Sequence, residues 1–202
     1  MEDESSSVPL RVVRCLLQGD ATVGKTTLSL KFSNDQFSHP NASILKKDIV
    51  VDGKPVKLLI SEVAAAGQFE DLLRVGRPLH YMFGDVSVMC FSLADPSSYE
   101  SISSEYYAHF TAWRFDVPII LVGTKHDLLY DRHTFHQLSE DGEAPLTHGD
   151  GMRLAETINA VCYLECSSET GEGVEEVFQS ACSAALVGKG ERNVPESACC
   201  VM

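Results

Sequence analysis

The chain has 202 residues, of which 44% are hydrophobic, and its formal net charge is −13. This length and composition suit one globular domain with short terminal segments. The negative charge argues against a nucleic-acid-binding protein, which would need a basic face to contact phosphates. None of the seven cysteines has C-x-x-C spacing, so a structural zinc site is not expected.

Apolar runs and helical periodicities alternate along the chain. We predict a disordered segment at 1–9, a domain at 10–187 and a flexible tail at 188–202. The predicted strands lie near 11–18, 46–52, 55–61, 86–93, 118–123 and 161–166. The predicted helices lie near 25–33, 70–80, 97–113, 147–159 and 172–187. Asp52-Gly53 predicts a hairpin between the second and third strands. The alternation predicts an α/β fold with a six-stranded, mostly parallel sheet and helices on both faces.

The segment after the first strand fits the G-x-x-x-x-G-K-[ST] pattern of a phosphate-binding loop. Its glycines allow backbone N–H groups to surround phosphate oxygens, and the following helix N-terminus also attracts anions. Lys25 can reach the β- and γ-phosphates, and the Thr26 hydroxyl can hold Mg²⁺. The predicted nucleotide-binding residues here are Gly19, Asp20, Ala21, Thr22, Val23, Gly24, Lys25, Thr26 and Thr27.

A second motif, Thr124-Lys125-His126-Asp127, follows the fifth strand. The Asp127 carboxylate can accept hydrogen bonds from the N1–H and N2–H₂ groups of guanine, whereas adenine offers no such pair of donors. The stem of Lys125 can lie along the base, and the backbone N–H groups of Ser167 and Ser168 can meet the guanine O6. The two motifs in this order predict a guanine nucleotide.

At this point the chain resembles the Rho branch of the Ras-like small GTPases, from about residue 11 to residue 186. Matching segments include 35–37, 51–54, 89–92, 117–123 and 163–167, and 130–145 resembles the Rho insert helix. The resemblance implies a Ras-like P-loop domain that binds GTP/GDP and Mg²⁺. It also implies effector, exchange-factor and activating proteins as partners, with signalling toward the actin cytoskeleton.

The resemblance also assigns roles to residues between the two motifs. Phe37 is expected to stack on guanine, with a core aromatic at a helix end as its alternative role. Gln68, preceded by Gly67, takes the position that orients the attacking water. Together with Lys25, these two residues are the expected catalytic group.

Three departures from the family pattern meet at the phosphate end of the site. The first switch region lacks the metal-binding threonine, and Ser43 is the nearest substitute. Ala64 stands where the family has a metal-facing aspartate, although Glu62 falls on the same side of an extended strand. Ala21 replaces a glycine and is expected to crowd the γ-phosphate, the alternative being a tolerated substitution. These changes predict slow GTP hydrolysis and weak Mg²⁺ binding.

The last four residues, 199–202, match the C-a-a-X prenylation pattern, which makes Cys199 the expected lipidation site. One lipid gives only reversible membrane binding, and the tail has no polybasic stretch, so Cys200 could carry a second lipid. The expected location is the cytoplasmic face of membranes, above all the plasma membrane, with a cytosolic pool.

Three functions remain open at the level of sequence. The first is a GTPase that cycles between GTP and GDP states and acts as a membrane-anchored switch. The second is a non-cycling, GTP-bound scaffold, which atypical Rho proteins of the Rnd kind resemble. A P-loop kinase of small molecules is disfavoured, because Asp127 reads guanine and no acceptor-binding lid is evident.

Overall fold

The structure is a computed structural model, and it describes residues 11–33, 44–62, 84–112 and 117–188. The strands in these residues are β1 (Arg11–Gln18), β2 (Leu45–Val51), β3 (Lys54–Glu62), β4 (Val86–Ser92), β5 (Ile119–Thr124) and β6 (Cys162–Glu165). They form one sheet in the order β2-β3-β1-β4-β5-β6. β2 runs antiparallel to β3, and the other neighbouring strands are parallel. The predicted sheet is confirmed, and no strand end differs from its prediction by more than one residue.

The described helices are α1 (Lys25–Ser33), α2 (Pro96–Ser101), α3 (Tyr107–Ala112), α4 (Arg132–Glu140), α5 (His148–Thr157) and α6 (Val174–Gly188). A π-helical segment, Ile102–Tyr106, joins α2 to α3, so the helix predicted at 97–113 is present with a local change of winding. α4 occupies the predicted insert. The helix predicted at 70–80 lies outside the described residues.

Two local predictions are confirmed in atomic detail. Asp52 and Gly53 have φ values of 50° and 73°, as a tight hairpin turn requires, and they connect the antiparallel strands β2 and β3. Thr147 and Asp150 form a reciprocal capping box at the start of α5. The turn residues and caps therefore set these boundaries locally.

The sheet has a hydrophobic core on each face. On one face α1 and α6 pack together, and the rings of Phe32 and Phe178 stack with centroids 4.1 Å apart. The predicted core face of α6 is buried, as expected, at Val174, Val177, Phe178, Ala181 and Cys182. On the other face Phe91 packs among residues of α5 and of the α2–α3 segment. The buried sheet holds the carboxyl ends of β1 and β5 in fixed positions. No helix in the described ranges has the length and apolarity needed to cross a membrane.

Candidate nucleotide-binding site

The phosphate-binding loop leaves the carboxyl end of β1 and depends on two glycines. Gly19 has a φ of 134°, and a Cβ there would lie 2.1 Å from the carbonyl oxygen of Cys90. Gly24 has a φ of 95° and ends the short 3₁₀ turn Ala21–Val23. A side chain is excluded at Gly19 by contact and disfavoured at Gly24 by its backbone conformation. The loop therefore passes close to β4 and enters α1 at Lys25.

Lys25 is almost completely buried inside this loop. Its ammonium donates to the carbonyl oxygens of Gly19 at 2.7 Å and Asp20 at 2.6 Å. Burial lowers the pKa of Lys25 below its usual value. Among the residues that the structure describes, no carboxylate lies within ion-pair distance of this ammonium. An ammonium has three donors, and its bonds to the described residues use two of them, which leaves one N–H for an anionic ligand.

The first turn of α1 also contacts the end of β3. The Thr26 hydroxyl donates to Glu62 Oε2 at 2.7 Å, and the Ser29 hydroxyl lies 3.1 Å from Glu62 Oε1. Hydroxyl and carboxylate oxygens are the ligands that Mg²⁺ prefers. The residues at this point therefore fit a Mg²⁺ ion beside the phosphate-binding loop.

The base-reading motif is held against the phosphate-binding loop. The buried Thr124 hydroxyl lies 2.6 Å from the carbonyl oxygen of Val23 and 2.9 Å from that of Phe91. Lys125 has a φ of 59°, and its Cε lies 3.9 Å from the position of a Cβ built on Gly24. The lysine stem thus lies next to the second glycine of the loop, which brings both motifs to one edge of the sheet.

The Asp127 carboxylate is oriented from the neighbouring loop after β6. The buried Ser167 hydroxyl donates to Asp127 Oδ1 at 2.5 Å. The backbone N–H of His126 donates to the carbonyl of Cys166 at 3.1 Å, which ties the two loops together. The second carboxylate oxygen and the remaining lone pairs of Asp127 are the acceptors for a base.

Similarity to known proteins agrees with this geometry. The profile of the Ras family matches residues 14–186 of the chain. The chain belongs to the Ras family. It is 37% identical over 184 residues to the GTP-binding protein RHO1 of Saccharomyces cerevisiae, an alignment that covers 89% of this chain and 86% of that protein. The chain is therefore a Rho-like member of the family and a GTP-binding protein.

One predicted residue enters this Rho-like site in a different way from the expectation. The backbone N–H of Ser167 donates to the carbonyl oxygen of Glu172 at 2.9 Å, so it is already used within the chain. Ser167 contributes its hydroxyl to Asp127 instead. This leaves the N–H of Ser168 as the candidate donor to the guanine O6.

Two contacts of the site are not predicted from the sequence: that of Tyr106 with Asp20 and that of Ser29 with Glu62. The Tyr106 hydroxyl donates to Asp20 Oδ1 at 3.1 Å, from the last residue of the π-helical segment. The spacing of three residues between Thr26 and Ser29 places both hydroxyls on one helix face, and this is the signal that points to Ser29. No sequence signal pointed to Tyr106, because its partner is 86 positions away.

Several predicted residues lie outside the described part of the Rho-like chain. These are the expected base, metal, water-positioning and lipidation residues Phe37, Ser43, Gly67, Gln68 and Cys199, together with Ala64. The described site thus comprises the phosphate-binding loop, the base-reading motif and Glu62.

Proposed function

We propose that this Rho-like protein is a signalling switch that binds GTP or GDP with Mg²⁺ and hydrolyses GTP slowly. The observation that carries the proposal is the position of Ala21 in the phosphate-binding loop. Ala21 is exposed and directly follows Asp20, whose carbonyl oxygen accepts a hydrogen bond from Lys25. Ala21 stands at a loop position that is glycine in most of the family, so we expect its methyl group to point toward a γ-phosphate bound by the Lys25 ammonium.

This proximity explains why hydrolysis would be slow while binding is retained. Phosphoryl transfer needs the attacking water in line with the γ-phosphate, and displacements near 1 Å strongly reduce the rate. A methyl group at position 21 occupies space that the water, Gln68 or an activating protein's arginine would use. Binding depends instead on Lys25, the loop N–H groups and Asp127, which do not require that space.

The remaining site residues have separate tasks in the proposal. Asp127 selects guanine, Ser168 meets its O6, and Phe37 covers the base. Thr26 and Ser43 would hold Mg²⁺, which when bound neutralises charge on the phosphates. Gln68, preceded by Gly67, would orient water.

Membrane attachment and protein partners complete the proposal. The C-terminal C-a-a-X sequence supports prenylation of Cys199, and the neighbouring Cys200 offers a site for the second lipid that stable anchoring requires. The protein would then act at the cytoplasmic face of the plasma membrane. Effector, exchange-factor and activating proteins of Rho type, acting on the actin cytoskeleton, are the proposed partners.

A non-cycling, GTP-bound scaffold is a second candidate, favoured by the other departures from the family pattern, Ala64 and the missing threonine of the first switch region. In that case hydrolysis is absent and the protein remains in one state. The two candidates differ in whether bound GTP is turned over at all when position 21 is restored to glycine.

Single-turnover GTP hydrolysis of the parent and of Ala21→Gly tests the proposal. Removing the methyl group should raise the rate roughly ten- to a hundredfold, because it restores room for the water. Ala112→Gly, at an exposed position in α3, is the matched control and should leave the rate unchanged. Measurable turnover at equal rates in the parent and Ala21→Gly would contradict the role of Ala21. A lack of turnover in both would favour the scaffold.

A further inference from the structure

The Glu62 carboxylate is fixed between β3 and α1. Glu62 is the last residue of β3, and its two oxygens face Thr26 Oγ1 at 2.7 Å and Ser29 Oγ at 3.1 Å. The Ser29 hydroxyl has a second acceptor, the Thr26 carbonyl oxygen at 3.0 Å, and it has only one proton to donate. The hydrogen bond from Thr26 to Glu62 is therefore shorter than the contact between Ser29 and Glu62, and its proton is not shared with a second acceptor.

Donation to Glu62 orients the Thr26 hydroxyl toward a cation. A threonine hydroxyl has one proton and two lone pairs. When the proton is committed to the carboxylate, the lone pairs remain available to a metal. A carboxylate behind a metal ligand also raises the basicity of that ligand and fixes its orientation. Glu62 therefore has the geometry of a group that supports a metal ligand.

We propose that Glu62 supplies the carboxylate that Ala64 cannot, positions Thr26 for Mg²⁺ and thereby keeps the nucleotide bound. This inference rests on the proposed binding of guanine nucleotide with Mg²⁺ at the phosphate-binding loop. The sequence alone predicts weak Mg²⁺ binding, because alanine at position 64 has no charge. The contact between Glu62 and Thr26 argues for firmer retention. Glu62 acts through Thr26 and is a positioning residue.

The alternative is that Glu62 only ties the strand to the helix. Glu62→Gln separates the two roles, because glutamine keeps the shape and one acceptor oxygen but removes the charge. A purely structural tie would change nucleotide release whether or not Mg²⁺ is present. If Glu62 instead supports a Mg²⁺ ligand, its replacement changes nucleotide release only by changing how the release rate depends on Mg²⁺.

Release of a fluorescent GDP analogue from the full chain, measured across a titration of free Mg²⁺, is the test. In Glu62→Gln the Mg²⁺ concentration that half-maximally slows release should rise about 10–100-fold. The release rate in excess EDTA should equal that of the parent. Glu156→Gln, at an exposed position in α5, is the matched control and should show no shift. An unchanged midpoint, or faster release in EDTA as well, would overturn the proposal.

A second variant keeps the inference falsifiable if Glu62→Gln does not fold. Ala64→Asp in the parent should leave the Mg²⁺ midpoint unchanged, because Glu62 already provides a carboxylate. A clear shift of the midpoint to lower Mg²⁺ in Ala64→Asp would overturn the proposal, because it would show that the parent site lacks a carboxylate that Glu62 does not supply. In the double variant, Ala64→Asp should restore the midpoint that Glu62→Gln displaces. GDP release involves no hydrolysis. If the role of Glu62 is refuted, the proposed slow GTP hydrolysis is unaffected, and if slow hydrolysis is refuted, the result for Glu62 still holds.

Discussion

Replacing Thr124 with valine should loosen the connection between the phosphate-binding loop and the base-reading motif. Valine has the shape of threonine but lacks its hydroxyl. Thr124 is only 2% exposed, and its hydroxyl lies 2.6 Å from the carbonyl oxygen of Val23 and 2.9 Å from that of Phe91. The variant leaves a buried carbonyl without its donor, which costs about 1–3 kcal/mol of the free energy of unfolding. For a protein of this size, a loss of about 2 kcal/mol lowers Tm by roughly 4–8 °C.

Urea unfolding of the nucleotide-free protein measures this cost, and titration with a fluorescent GDP analogue measures the effect on the site. The affinity for GDP should fall as well, because Val23 belongs to the phosphate-binding loop and Thr124 belongs to the base-reading motif. Thr157→Val, at an exposed position in α5, is the control and should change stability by less than about 0.5 kcal/mol. A Thr124→Val protein as stable as this control would refute the reasoning.

Two further predictions concern the base and the tail. Asp127→Asn should weaken GTP binding and favour xanthine nucleotides, because an amide donates where the carboxylate accepted. Competition between the two nucleotides measures this, and equal binding of ATP and GTP by the parent would contradict guanine selection. Cys199→Ser should abolish prenylation and shift the protein from the membrane fraction to the soluble fraction. Mass spectrometry of the C-terminus decides, and an unmodified Cys199 on membrane-bound parent protein would disprove this anchor.

The sheet was predictable from the sequence because its signals are local. Apolar runs mark the strands, Asp52-Gly53 sets the hairpin, and Thr147 with Asp150 caps α5. The π-helical segment Ile102–Tyr106 was not predictable, since its residues carry the same helical periodicity as their neighbours. The last residue of this segment, Tyr106, donates to Asp20 in the phosphate-binding loop. A local sequence pattern carries no information about such a distant contact.

The site was predictable only in its residue types. The spacing of the two motifs pointed to the phosphate-binding and base-reading residues, and strand parity placed Glu62 on the relevant side. The bond from Glu62 to Thr26 spans 36 positions, and the bond from Thr124 to Val23 spans 101. Such contacts depend on how the strands are ordered and how closely the loops approach, so only the folded structure reveals them. The use of the Ser167 N–H within the chain is of the same kind.

The central claim is that this Rho-like protein holds guanine nucleotide and turns GTP over slowly. Chromatography of the nucleotide released from the purified, full-length protein tests it most directly. The account predicts a guanine nucleotide close to one per chain, with GTP in excess of GDP. Ala21→Gly purified in the same way should contain mainly GDP. An adenine nucleotide, or a parent protein loaded almost entirely with GDP, would contradict the account.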